Sequence, residues 1–175
     1  LVVFLEEPSA RAMLQGVLPR LLAPEVSVRY VVFEGKQDLE KRLPVRLRGW
    51  QNPHARFLVL RDQDSGDCRQ IKQRLLDICH QAGQSDAMVR IACHELESFY
   101  LGDLCAVANS IGPASLAAQQ DKAKYRNPDR LNNAAQELKR IAPSYQKLSG
   151  SREIGKQLEI TGNRSESFNQ LLSGI

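Results

Sequence analysis

Seven carboxylates stand where apolar runs of the sequence stop. Glu6 and Glu7 follow Leu1 to Leu5, Asp62, Asp64 and Asp67 follow Phe57 to Leu60, and Glu95 and Glu97 follow Met88 to Cys93. Clustered carboxylates raise one another's pKa unless a cation compensates them. Hard oxygen donors of this type suit Mg²⁺ or Mn²⁺ and suit zinc poorly. Asp62-Gln63-Asp64 in a loop after a strand can turn both side chains toward one ion. An EF-hand does not fit, because from Cys68 onward the chain has the pattern of an amphipathic helix where that loop needs further oxygen ligands. Asp67 reads as the N-cap of that helix. Glu95 and Glu97 also suit the first turn of a helix, whose dipole favours acids. His94 reads as structural.

The apolar runs imply the frame. Leu1 to Leu5 and Phe57 to Leu60 are short and continuous, as expected of strands buried on both faces. Val26 to Phe33 and Met88 to Cys93 supply two more. Between them come helical stripes: Met13, Leu14, Val17, Leu18, Leu21 and Leu22 after Pro8-Ser9, ended by Pro24; a short helix near Gln37 to Leu43; and Ile71, Leu75, Leu76, Ile78, Cys79 and Ala82. A further helix is predicted from Leu96 through Phe99, Tyr100, Leu104 and Val107 to Ile111, and an irregular loop from Arg46 to His54. Trp50, Phe99 and Tyr100 read as core or interface residues. Alternating strands and helices predict an α/β fold, a mainly parallel four-stranded sheet flanked by helices. Ligands of such sheets bind beyond the carboxyl ends of the strands, where these acids collect.

The remainder differs in charge. Residues 1–121 hold 14 Lys/Arg against 15 Asp/Glu, whereas residues 122–164 hold 10 against 4. Residues 1–112 are read as the α/β core and 113–175 as a basic helical extension packed on it, with helices from Asn127 to Ile141 and after a Ser165 cap. Lys122, Lys124, Arg126, Arg130 and Arg152 are candidate contacts to a polyanion such as nucleic acid. Cys68, Cys79, Cys93 and Cys105 contain no CxxC pair and read as buried free thiols of a reducing cytoplasm. A zinc site from Cys79, His80, Cys93 and His94 lacks the usual spacing. No run reaches the roughly 20 apolar residues of a membrane span, and Glu6-Glu7 interrupts the opening, unlike a secretory signal. Because the first strand starts at Leu1 with no initiator Met, a few residues are expected to precede it.

The order of motifs resembles a Toprim domain: Leu5-Glu6-Glu7-Pro8-Ser9 after strand one, Asp62-Gln63-Asp64 after strand three, Glu97-Ser98-Phe99 after strand four. Topoisomerases, bacterial primases, and OLD-type and RloB-type nucleases share that domain. With Tyr125-Arg126-Asn127-Pro128-Asp129 and Gly150-Ser151-Arg152, the chain is most similar to an uncharacterised bacterial Toprim-like family. The resemblance implies a metal-dependent nuclease, with Glu6 and Glu7 in acid–base or metal chemistry, Asp62 and Asp64 on Mg²⁺ or Mn²⁺, and Glu97 as an added ligand. It also implies a place in phage defence beside a partner ATPase. Glu7 replaces the usual glycine, and Ala10 stands where nuclease relatives often carry a second acid. A degenerate module that only binds nucleic acid or the ATPase is the alternative. A phosphoacceptor receiver domain would need a Ser/Thr after strand four and a Lys after a fifth strand, and neither is visible. Primase-like nucleotidyl transfer would need a nucleotide-binding motif, which is also missing.

Overall fold

The computed structural model describes residues 1–175. Four strands, β1 (Val2–Leu5), β2 (Arg29–Val32), β3 (Phe57–Asp62) and β4 (Met88–Ala92), form one all-parallel sheet in the order β2-β1-β3-β4. The helices are α1 (Pro8–Val17), α2 (Lys36–Arg48), α3 (Cys68–Gln81), α4 (Glu97–Leu101), α5 (Leu104–Ser110), α6 (Ala134–Ile141), α7 (Lys147–Gln157) and α8 (Glu166–Leu172), with short 3-10 turns between some of them.

Side chains alternate across a strand, so each central strand feeds two cores. Val3, Leu5, Leu58 and Leu60 face a core shared with α1 and α4 to α8, while Val2, Phe4, Phe57 and Val59 face one shared with α2 and α3. Burying each such side chain stabilises the fold by about 1.5–3 kcal/mol. Leu138, Ile154, Phe168 and Leu171 share the first of these cores with Val3 and Leu60. Trp50 packs edge-on against Phe4 and Phe57. No helix is long and apolar enough to cross a membrane.

Several boundaries differ from the sequence pattern. The first helix ends at Val17, followed by a 3-10 turn at Leu18–Arg20, so the chain leaves the α-helix before Pro24. The helix expected near Gln37 to Leu43 runs to Arg48 through Pro44, because Leu39, Leu43 and Leu47 bury one continuous stripe; only from Gly49 is the segment irregular. The single helix expected from Leu96 to Ile111 is broken into α4 and α5 at Gly102-Asp103, where Asp103 caps α5 by accepting from the Ala106 amide. A Cβ at Gly102 would collide with the Asn163 amide group, so the break lets another segment pass. Asn127-Pro128-Asp129 opens a 3-10 turn only, and helix begins again at Ala134. Of the cysteines only Cys79 is buried; Cys68 and Cys93 are half-buried and Cys105 is exposed. Asp67 and Ser165 cap α3 and α8 as their positions predict.

Candidate functional site

Strand register assembles the acidic rim. Leu5 lies opposite Leu60, so the residues leaving β1 emerge beside Arg61 and Asp62. The Asp62 amide donates to Glu6 Oε2 at 3.3 Å. On the other side Asp62 lies opposite Ala92, and the pairing continues beyond the sheet: the Gln63 amide donates to the Ala92 carbonyl at 2.9 Å and the Asp64 amide to the His94 carbonyl at 2.7 Å. Asp64 (φ 55°) and His94 (φ 58°) are the chain's two non-glycine residues in the left-handed region. Such backbone costs about 1–3 kcal/mol and gathers at functional sites. His94 Nδ1 lies 3.2 Å from the Asp64 carbonyl and the His94 amide donates to Gln63 Oε1 at 3.3 Å, so these contacts hold the strained pair in place.

The carboxylates are poorly compensated. Burial pushes the Asp62 carboxyl well above the ordinary carboxylate range, and the charges of Glu7, Glu97 and Glu6 push it further. Its one hydrogen bond comes from the Leu96 amide, at 3.2 Å. Glu6 is raised first by burial and then by Asp64, against the pull of the Arg61 guanidinium, whose Nε lies 3.7 Å away. Glu97, only 1% exposed, is raised by burial even though the Tyr145 hydroxyl donates to it at 2.8 Å.

Three cations stand at the edges. Lys36 pairs with Asp64 Oδ2 at 2.8 Å and Lys147 with Glu7 Oε2 at 2.5 Å. Burial opposes charge on Lys147, but its contact with Glu7 and the fields of Glu97 and Asp62 prevail and raise its pKa. Ser9 also donates to Glu7. Arg61 is buried and spends one nitrogen on Glu40 at 2.6 Å, a carboxylate that Arg74 also holds at 3.2 Å.

These donors fit a hard divalent cation chemically, and the raised Asp62 is the carboxylate that gains most from one. No three Cys, His, Asp or Glu side chains stand tightly enough together to ligate an ion as placed. Asp64 would have to exchange Lys36 for the metal, and Glu7 would have to leave Lys147 to turn toward it. Asp62, Asp64 and Glu97 are the residues that would hold it, with Glu6 beside them.

The remaining candidates lie elsewhere. Glu95 accepts from the Ala135 amide at 2.8 Å and so anchors the start of α6. Lys124 is tied to Glu137 at 2.6 Å, Arg126 bonds the Asp121 carbonyl, and Lys122 bonds Gln119. Arg130 and Arg152 are exposed. No hydrogen bond or ion pair joins any of these five to the acidic rim. Lys36, Glu40, Arg61, Tyr145 and Lys147 are rim residues that the sequence did not single out. The basic charge of the C-terminal third was the one available hint of Lys147.

The molecule is thus a parallel α/β domain with an acidic, strained rim at the carboxyl ends of its strands. Residues 5–175 match the family described as "Domain of unknown function (DUF4276)", and the chain belongs to that family. No curated protein and no solved structure matches it.

Proposed function

We propose that the protein is a Toprim-like phosphodiesterase that cleaves nucleic acid with Mg²⁺ or Mn²⁺, acting in a reducing cytoplasm. The observation that carries this reading is Asp62. It is a rim carboxylate made costly to ionise by burial and by three neighbouring acids, and its one hydrogen bond comes from an amide. Asp62, Asp64 and Glu97 are the proposed ligands. A bound divalent ion would supply Lewis acidity toward a phosphate oxygen.

Glu6 accepts the proton of the attacking water. Its raised pKa moves it toward the range where a base works at neutral pH, and such a base contributes about 10²–10⁴-fold in rate. Glu7 and its partner Lys147 stand beside it, so Lys147 is placed to take a substrate phosphate once Glu7 turns to the ion. Lys122, Lys124, Arg126, Arg130 and Arg152 give sequence-independent affinity for flanking phosphates.

The test is cleavage of plasmid and single-stranded DNA and RNA in Mn²⁺. The reading predicts nicking that EDTA stops and Asp62→Ala abolishes. Equal activity of wild type and Asp62→Ala, or none in either, removes it.

A second reading has its own support: the lysine pairs on Asp64 and Glu7 already neutralise two of the acids. On it, the rim is a degenerate Toprim-like surface that binds nucleic acid or a partner ATPase, as in a phage-defence system. Tight binding that EDTA leaves unchanged, without cleavage, favours it.

A further inference from the structure

A cleft opens between the start of α3, the end of β4 and the start of α8, and none of the rim acids lines it. Its volume is about 500 Å³, and its walls include Cys68, Lys72, Arg90, Cys93, Arg130 and Ser167. Cys68 is the first residue of α3, fixed there by the Asp67 cap, and Cys93 directly follows β4. The Cys93 amide donates to Ser167 Oγ at 3.3 Å, which pins the strand end. Two residues from separate elements thereby face one cavity, near enough for the Cys93 thiol to feel Cys68. Neither is in a disulfide, and both keep accessible surface.

We propose that Cys68 and Cys93 are a redox modification site, closing to an intramolecular disulfide when the protein meets a hydroperoxide. Burial first, and the charge of Asp129 second, push the Cys93 thiol up to about 11, so Cys68 is the attacking sulfur. Lys72, one helical turn after Cys68, lines the same cleft. The Cys68 thiolate attacks the terminal peroxide oxygen, the O–O bond breaks, and a sulfenic acid and water (or an alcohol) result. The Cys93 sulfur then attacks the Cys68 sulfur, forming S–S, expelling the hydroxyl as water and giving up its proton. Two thiols and one peroxide thus become one disulfide and two waters, the peroxide taking both electrons. The bridge fastens the start of α3 to the end of β4, across the loop that carries Asp62 and Asp64. A dithiol reductant reverses it.

The experiment uses the full chain with Cys105→Ser to prevent intermolecular crosslinks. The reduced protein is treated with hydrogen peroxide, blocked with iodoacetamide and measured by intact mass and peptide mapping. The expected result is a loss of about 2 Da before alkylation, two fewer alkylated thiols than in the untreated protein after it, a Cys68–Cys93 linked peptide and full restoration by dithiothreitol. In the Cys93→Ser background the same treatment leaves a sulfenic acid on Cys68, trapped by dimedone. The proposal is overturned if both cysteines still alkylate fully after peroxide, or if Cys68 carries no dimedone adduct in Cys93→Ser.

Discussion

Two carboxylates of this chain are almost equally hidden from water, and the protein treats them in opposite ways. Glu137 on α6 is 3% exposed and receives the Lys124 ammonium at 2.6 Å, the Arg140 guanidinium at 2.7 Å and the Tyr125 hydroxyl at 2.5 Å. Those donors, Arg140 foremost, outweigh its burial and hold its pKa down at about 2. Glu97 is 1% exposed, has a tyrosine hydroxyl and no cation in direct contact, and its pKa goes up. Asp62 is further out of balance, raised first by burial and then by the charges of Glu7, Glu97 and Glu6. The node at Glu137 is complete and needs nothing more. The rim is short of positive charge, which a divalent ion would supply. Burial alone therefore does not decide how a carboxylate is held; the charges that meet it do.

The comparison breaks most visibly if Glu137 is neutralised. Glu137→Gln should cost about 2–3 kcal/mol, less than a fully buried pair would, because both its cations are largely in water. Chemical denaturation at pH 7 measures this, and an unchanged midpoint would show the node to be ornamental.

The pH dependence of metal-free protein should then separate the regions by sign. Glu137 has a depressed folded pKa, so its contribution is present above the usual carboxylate value of 4.5 and is lost as pH falls toward about 2. Glu6, Asp62 and Glu97 have raised folded pKa values, so their penalty is full above those values and disappears as pH falls to the ordinary values, 4.5 for the two glutamates and 3.8 for Asp62. Acidification from pH 7.5 toward 5 should therefore stabilise wild type, and Asp62→Asn should flatten that slope. A wild-type melting curve that falls over this window would contradict the assignment.

Removing Lys147 tests the edge of the rim. Lys147→Met frees Glu7 and should tighten Mn²⁺ binding by roughly threefold to tenfold, about 1 kcal/mol, while weakening nucleic-acid binding. The smallest effect belongs to the periphery: Arg152→Ala should lower the salt slope of nucleic-acid affinity by about one unit and leave Mn²⁺ binding untouched.

How much of this was legible follows from where the signals sit. Strands β1 and β3 are local apolar runs, and the Asp67 and Ser165 caps are local chemistry, so both could be read directly. The meeting of Glu6 with Asp62 needed only the inference that strands one and three are neighbours. Helix α7 had no such stripe, since Gly150 and Gly155 interrupt it. The second glycine is there because a Cβ would come within 2.5 Å of the Met13 carbonyl of α1. Lys36, Tyr145 and Lys147 come to the rim from elements that no local spacing ties to the acids. Their roles depend on tertiary packing, and sequence periodicity carries no record of it.

The claim that the rim lacks a cation is tested most directly by calorimetric titration of metal-free wild type and Asp62→Asn with Mn²⁺ at pH 7.5. Saturable binding in wild type that the single substitution removes, with the Asp62→Asn protein still folded, is the predicted result. Identical titrations of the two proteins, binding or not, would contradict it.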